Sequence, residues 1–569
     1  HLAANACRFE GNLSPAQPRT CSKLGISQWL IATDRCVSDL DLAKVGTWVR
    51  VKDVKNPISS RFVYQVKKRP NGDVEAFCRW TPRGFEEKAD IHYDPDNIFA
   101  GTPQLWSLRC ILVKALTMHW RTFHLDFKRA FSHAPLERNI FVTLPTGYKK
   151  LDDDGFELCM RLDKSSEGLK QSAANWEAFL TSHLKNLGFK ASIKEPRMWR
   201  GKTPKGSDVY FVVYVDDIYL TTDDADWVPS FVDQLDKLAP VKNLGEISMA
   251  LGCEISWSPS RSSVSIGTTQ KIDDLLTTFD MSESNKRDTP LIPNSKLAKD
   301  LDSDPLDDIR KQKYRSIVGR ILYIMRCNRA DLMHAAWYLA CGMSTPTDAL
   351  WDQAIHVLRY LSGTRSRVLT YSIDSPSYDL DLSEIGHCTT NVSGFADANH
   401  EPDRSWSSTV VSHCCAALFW KVRKQPTPSL SSVESELAAL SSLAQDIELI
   451  KDIYDWLRIP IDYKVPIFCD NRGAIQNAKH ANFSEKLRHV QSKIFYVRDV
   501  ISRNVITLNW IPGSINPADI GTKCLGGLPF RMYASFLMND SLSASRNFKR
   551  FVSRCSRIIS DYVHSVTSV

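Results

Sequence analysis

Apolar and polar positions along the chain fall into a small number of readable periods. From Trp48 to Cys78, the β-rich runs WVRV and RFVYQVKK flank the turn Pro70-Asn71-Gly72-Asp73, a hairpin pattern. Between Leu105 and Tyr148 an amphipathic segment leads into HLDF, FKRAF and IFVTL, which predicts strand, helix, strand up to the turn at Pro145 and Gly147. Ser172 to Leu187 places Ala174, Phe179, Leu180, Leu184 and Leu187 at helical spacing. The runs VYFVVYV and IYLTT are separated only by Asp216 and Asp217, which predicts a tight hairpin. From Lys271 helical periodicity dominates (IDDLLTTF, IVGRILYIM, LWDQAIHVLRYL), broken by a polar, proline-bearing stretch from Asn285 to Asp307. A composition shift over Ser375–Thr390 marks a boundary. Beyond it VSGFAD, the run Val410–Trp420, SSVESELAALSSLAQD and VPIFCD alternate strand and helix, the α/β order.

These periods divide the 569 residues into a tail (1–28), an α+β unit (29–257), a mainly helical unit (258–390), an α/β unit (391–525) and a second tail (526–569). With 43% hydrophobic and 24% charged residues, a disordered or fibrous chain is excluded. The net charge of +7 suits a partner with a negative backbone but is too small to name nucleic acid unaided. Fifteen cysteines without a CxxC pair give neither a zinc ribbon nor a disulfide framework, so free thiols in a reducing compartment are expected. His1 at the start and the lack of any apolar run of membrane-spanning length lead us to expect a soluble fragment of a longer protein.

The sharpest chemical signal is Tyr214-Val215-Asp216-Asp217. Two-residue hairpins favour Asn-Gly or Asp-Gly, so Asp-Asp is a poor choice for the turn alone, and adjacent carboxylates repel. A divalent cation removes both objections. Asp126, at the end of the apolar run in HWRTFHLDFKRAF, supplies a third acid. Asp126, Asp216 and Asp217 together can hold two ions about 3.5–4 Å apart, as phosphoryl transfer to a primer 3′-hydroxyl requires. A second set lies past the boundary. Asp397 ends VSGFAD, Glu434 and Glu436 share the helix beginning near Ser432, Asp470 ends VPIFCD, and Asp519 sits in NPADIGTK. Four acids on strand ends and one helix can converge on two metal ions, as hydrolysis of an RNA phosphodiester requires. Glu434 and Glu436 compete for the helical place, lying roughly 200° apart around the helix.

In order along the chain, RFVYQVK with NGDV, RWTPRGF, LDFKRAF, GLKQSAANW, YVDDIYL, LGEISMALGCEI, TQKIDDLL, YRSIVGRILYI and IHVLRYLSGT resemble the polymerase of copia-type long-terminal-repeat retrotransposons. FADANHEPDRSWSST, LSSVESELAAL, CDNRGAIQNA, LRHVQSKIFYVRD and NPADIGTKCL continue the likeness through a ribonuclease H part. The resemblance implies an α+β polymerase right hand, with fingers and palm at 29–257 and a helical thumb or connection at 258–390, followed by an α/β ribonuclease H-like domain. It implies an RNA-directed DNA polymerase with ribonuclease H activity, using two Mg²⁺ or Mn²⁺ ions per site. Asp126, Asp216 and Asp217 would be one metal-binding catalytic set and Asp397, Glu436, Asp470 and Asp519 the other. Glu436 is preferred over Glu434 for the Leu-Ala-Ala-Leu that follows it. Phe131 would lie beneath the incoming sugar, Gln171 would contact the nucleotide, Arg79 the triphosphate, and His489 would assist product release or proton transfer. Implied partners are RNA template, DNA primer, RNA–DNA hybrid, deoxynucleoside triphosphates and the integrase and capsid parts of the same element, in cytoplasmic virus-like particles. Ser166 and Glu167 depart from the family pattern, which has an apolar-aromatic pair before the glycine of GLKQ. The competing readings are a decayed or domesticated remnant that binds nucleic acid without chemistry, and a DNA-templated polymerase or unrelated nuclease.

Overall fold

The computed structural model describes residues 8–9, 26–42, 45–68, 73–374, 391–401, 404–461, 464–479 and 490–540. The chain order opens with β1 (Arg8–Phe9), α1 (Ile26–Leu42), β2 (Gly46–Arg50), β3 (Ser60–Lys68) and β4 (Val74–Pro82). β3 and β4 pair antiparallel from Ser60↔Pro82 to Lys68↔Val74, as the alternation there predicts; the turn residues 69–72 lie outside the described set. Next come α2 (Leu105–Met118), β5 (Arg121–Phe127), a 3₁₀ turn (Ala130–His133), β6 (Pro135–Val142), β7 (Tyr148–Lys149) and β8 (Leu158–Lys164). The segment FKRAF therefore makes a short turn rather than a full helix.

α3 (Ser172–Asn186), β9 (Lys190–Ala191), β10 (Met198–Lys202), β11 (Asp208–Tyr214), β12 (Asp217–Thr222), α4 (Val228–Asp236) and β13 (Val241–Glu246) complete the first large unit. Its antiparallel sheet runs β13-β5-β12-β11-β10-β9. Because side chains alternate across a strand, Phe123, Leu125 and Phe127 of β5 and Ile218 and Leu220 of β12 share one face. They form a core with Trp176 and Leu180 of α3 and Phe231 and Leu235 of α4. The opposite parity carries His124, Asp126, Asp217 and Tyr219 to the other face, where Tyr219 and Tyr210 pack with α2. One sheet thus has an apolar face that anchors it and a face that bears carboxylates.

β14 (Met249–Ala250), β15 (Cys253–Trp257) and β16 (Ser263–Gly267) precede α5 (Thr269–Thr278), α6 (Leu297–Leu301), α7 (Asp308–Cys327), α8 (Met333–Cys341), α9 (Asp348–Gly363) and β17 (Leu369–Ser372). The four strands form one sheet in the order β14-β15-β16-β17, so the unit expected to be mainly helical encloses a small sheet. The expected boundary at 375–390 lies outside the described residues.

β18 (Ser393–Asn399), β19 (Trp406–His413), β20 (Ala416–Lys424), α10 (Ser432–Leu457), β21 (Val465–Cys469), α11 (Arg472–Lys479), α12 (Gln491–Ser502), β22 (Ile506–Trp510) and α13 (Gly527–Met538) follow. Their sheet runs β20-β19-β18-β21-β22, antiparallel through the first three strands and parallel through the last three. α10 lies close on this sheet: a Cβ on Gly394 would meet Leu443 at 3.0 Å and Ile467 at 3.1 Å. Residues 527–538, expected to open a tail, are instead a helix with Phe530, Tyr533, Phe536 and Leu537 buried at helical spacing. Just beyond it Asp540 pairs with Arg367 at 2.6 Å, and Arg367 also meets the buried Asp331. Asp540 thus ties the end of α13 to the helical unit.

Candidate active sites: two sets of carboxylates

In the hairpin of β11 and β12, Tyr214 pairs with Asp217, so the two turn residues are Val215 and Asp216, one position earlier than the pattern predicts. Val215 has φ 59, an uncommon state for a β-branched residue. Two bonds hold the tip: Trp176 Nε1 donates to the Val215 carbonyl (2.7 Å), and the Phe127 amide donates to that of Asp216 (2.8 Å). Asp217 stands directly across from Asp126 on β5. The structure thus brings Asp126, Asp216 and Asp217 to one end of the sheet. Burial pushes the Asp126 carboxyl above the usual carboxylate range and the Asp217 charge adds to it; for Asp216 burial again leads, and Asp217, Asp126 and Glu167 raise it further. His124 Nε2 meets Asp217 Oδ1 at 2.6 Å, and the three acids do not close into a compact ligand group. Nothing in the residue pattern marks His124 beyond its place two residues before Asp126.

Of the residues assigned to the nucleotide, Phe131 is half-buried in the 3₁₀ turn and packs against the core between the sheet and α3. Gln171 is buried at the start of α3, where its Nε2 donates to the His92 carbonyl (3.3 Å). Arg79 is half-exposed and ion-paired with Glu167. Glu167 is one of the two departures from the family pattern, so this chain supplies its own anion to the guanidinium expected to meet a triphosphate. The GLKQ and RWTPRGF segments meet at their glycines: a Cβ on Gly168, at φ 106, would lie 2.4 Å from the Pro82 carbonyl, and one on Gly84 would lie 2.0 Å from that of Gly168.

The second set is more compact. Ligand atoms of Asp397, Asp470 and Asp519 all lie within 4.8 Å of one another, and so do those of Glu436, Cys469 and Asp470. β18 delivers Asp397, β21 ends just before Asp470, α10 contributes Glu436 from its first turns, and a 3₁₀ turn (Pro517–Gly521) holds Asp519. Glu434 does something else. Ser431 Oγ accepts from the Glu434 amide (3.3 Å) and Glu434 Oε2 accepts from the Leu430 amide (2.6 Å), a capping arrangement that spends this carboxylate on the helix end. Burial pushes Glu436 well up, with Asp397 and Asp470 adding to it; burial and Asp397 raise Asp470 to about 6 and Asp519 to about 8. Lys523 stands among these acids, 2.8 Å from Asp519 and 3.9 Å from Asp397, and Thr522 Oγ1 donates to Asp397. Sequence reasoning singles out neither, although Lys523 lies four residues after Asp519 in the same motif. It passes over Cys469 too, whose only signal is its place beside Asp470. His489 lies outside the described residues.

A family model described as reverse transcriptase (RNA-dependent DNA polymerase) matches residues 44–293, the stretch that contains the first acid set. That stretch is similar to reverse transcriptases. The chain is 25% identical over 494 residues to the retrovirus-related Pol polyprotein from transposon TNT 1-94 of Nicotiana tabacum, covering 85% of this chain and 36% of that protein. It is likewise 25% identical to the Pol polyprotein from transposon RE1 of Arabidopsis thaliana, covering 84% of this chain and 31% of that one. The chain thus spans about a third of the length of these curated relatives. Among solved structures, the foamy viral protease-reverse transcriptase dRH in complex with double-stranded DNA is similar at 12% identity and a TM-score of 0.43, covering 88% of this chain and 73% of that one. The chain is similar to retrotransposon Pol polyproteins, with the stretch that matches reverse transcriptases preceding a five-stranded α/β unit, in the order the motifs implied.

Proposed function

We propose that this chain is an RNA-directed DNA polymerase with ribonuclease H activity, copying retrotransposon RNA into DNA and degrading the RNA of the resulting hybrid. One observation carries the reading: a reverse transcriptase unit and a separate α/β unit in one chain each gather their own carboxylates at the ends of their strands. Both sets are dominated by hard oxygen donors, which suit Mg²⁺ or Mn²⁺. The second set already holds a positive charge, the Lys523 ammonium, so its geometry fits a cation. Divalent ions held by Asp126, Asp216 and Asp217, and by Asp397, Glu436, Asp470 and Asp519, would supply the Lewis acidity for in-line displacement at phosphorus.

The chain's own residues do the rest. The clamped tip of the hairpin presents Asp216 in a fixed place, and the β5–β12 pairing sets Asp126 opposite Asp217. Phe131 bounds the space for the sugar, and Arg79 carries the charge for the triphosphate once Glu167 releases it. In the second unit, the Lys523 ammonium, 2.8 Å from Asp519 and 3.9 Å from Asp397, and the Thr522 hydroxyl donating to Asp397 hold those carboxylates in place. On this reading the partners are an RNA template, a DNA primer, the hybrid and deoxynucleoside triphosphates, and the setting is a cytoplasmic virus-like particle shared with the element's integrase and capsid. The competing reading, a remnant that binds nucleic acid without chemistry, draws on the Arg79–Glu167 pair. Primer extension on an RNA template with Mg²⁺ separates the two: extension with deoxynucleotides is expected, and hybrid binding without extension in a well-folded protein would contradict the proposal.

A further inference from the structure

Arg109 lies on α2 inside an apolar helix, only 4% exposed. Its Nε donates to the Leu418 carbonyl (2.8 Å), its Nη1 donates to those of Arg326 (2.9 Å) and Cys327 (3.0 Å), and its guanidinium lies 4.0 Å over the Trp420 ring. No carboxylate pairs with it among the described residues, and burial pulls its pKa down. A buried charge without a counter-ion is costly and calls for compensation. Arg109 borders a cavity of about 450 Å³ between the N-terminal end of α2, α7 and α8 on one side and β20 on the other. Arg326 and Arg423 also line it, and neither makes an ion pair among the described residues. Lys421, at the same wall, is already taken by Asp446 (2.8 Å). No acidic residue lines the cavity among the described residues. The half-buried Trp337 lines it as well, its ring 4.5 Å from Trp406.

We propose that this groove is a binding site for single-stranded nucleic acid, separate from both carboxylate sets, with phosphates on Arg109, Arg326 and Arg423 and a base on Trp337. Guanidinium groups outside any ion pair and beside aromatic faces are the pairing that holds an unpaired strand, whatever its sequence. A space of this size takes on the order of one or two nucleotides and not the breadth of a duplex. The polymerase-side helices and the edge strand of the ribonuclease H-like sheet both contribute, so a strand held there is gripped by both units. None of the seven acids borders the groove.

The test uses the full chain and a fluorescein-labelled oligouridylate of about eight nucleotides, with binding read by anisotropy. The double variant Arg326→Glu with Arg423→Glu changes two exposed side chains, and its binding should weaken about tenfold or more. Its salt dependence should flatten by about 0.7 in log–log slope for each phosphate no longer neutralised. Trp337→Ala should weaken binding at least about fivefold and leave the salt slope unchanged, since stacking is not ionic. Extension of a short template–primer with a one-nucleotide template overhang and cleavage of a short hybrid should match the parent protein in both variants. Unchanged oligonucleotide affinity in both would overturn the proposal, as would full displacement of the probe by a short duplex, which would put the strand in the catalytic cleft. Equal displacement by a phosphopeptide lacking any base would overturn it too. An inactive parent protein that still binds the probe at this groove would contradict the proposed function and leave this inference standing.

Discussion

The two carboxylate sets solve the same electrostatic problem in different ways. At the β11–β12 hairpin the acids sit at one end of a sheet, Asp216 exposed and Asp126 and Asp217 half-buried, fixed by backbone register, and Asp217 leans on His124 rather than closing toward Asp126. In the α/β unit Asp397, Glu436 and Asp519 are buried and Asp470 half-buried; they arrive from β18, α10, a 3₁₀ turn and the end of β21 and are already drawn together around the Lys523 ammonium. Burial makes like charges expensive and raises carboxyls in both sets; the second adds an internal cation, whereas the first can stay open until substrate and metal gather it. A metal site can therefore be preorganised by burial or left to assemble on a rigid strand pair.

The contrast should show most strongly within α10. Glu436→Gln should lower hybrid cleavage by about 10²–10³-fold, the scale of losing one preorganised group at a reacting centre. Glu434→Ala should keep cleavage and cost about 1 kcal/mol of stability, as the loss of a helix cap does. A cleavage assay with a melting curve checks both, and the reverse pattern would return the catalytic role to Glu434.

Next is Phe131→Val, on the polymerase side. If the ring bounds the sugar, ribonucleotide incorporation relative to deoxynucleotide should rise by about tenfold or more while DNA synthesis stays measurable. A purely core ring would instead cost stability, less than the roughly 3–5 kcal/mol of a full Phe→Ala truncation, and depress both substrates alike. Incorporation kinetics with the two sugars decide it; unchanged discrimination in a stable variant contradicts the gate.

The pH response should be smaller and belong to the buried set. Asp470 and Asp519 have folded-state values of about 6 and about 8, raised above the unfolded carboxylate value, so the folded state favours their protonated forms. Their contribution to stability is present in full below about pH 4 and is lost as the pH rises through about 6 and then about 8. Melting of the metal-free protein should therefore fall across that window, and stabilisation by added Mg²⁺ should grow across it, because the ion binds the deprotonated acids. Asp519→Asn should flatten the upper half of the curve. An unchanged slope in that variant would contradict the assignment.

The mildest response belongs to Glu167. Releasing Arg79 by Glu167→Gln should lower the KM for deoxynucleotides about two- to fivefold, the scale of a partly exposed ion pair of about 0.2–1 kcal/mol. A raised KM in steady-state kinetics would show that Glu167 positions Arg79 rather than competing for it.

Much of the fold is legible from residue order. The β-rich runs around Asp216, the helical period from Ser172 and the strand–helix alternation after 391 all form the expected elements. The hairpin turn falls one residue earlier than its pattern predicts because Val215 adopts a positive φ that no turn preference anticipates for a β-branched side chain. α13 escapes the pattern because its apolar spacing runs directly into a Ser- and Arg-rich segment. Arg109 and Lys114 are charged residues within the otherwise apolar α2. Both are buried because their carbonyl partners, at Leu418 and Arg458, come from distant parts of the chain. Lys523 is hidden for a related reason: a lysine near one aspartate reads as surface until the fold brings in Asp397 and Asp470. What local pattern carries is visible in the chain, and what long-range convergence carries is not.

Whether two separate sites share one chain is decided by measuring DNA synthesis on an RNA template and RNA cleavage in a hybrid, side by side, for Asp216→Asn and Asp470→Asn. Asp216→Asn is predicted to abolish synthesis and leave cleavage, and Asp470→Asn to do the reverse; loss of both activities from either change in a well-folded protein would contradict the two-site account.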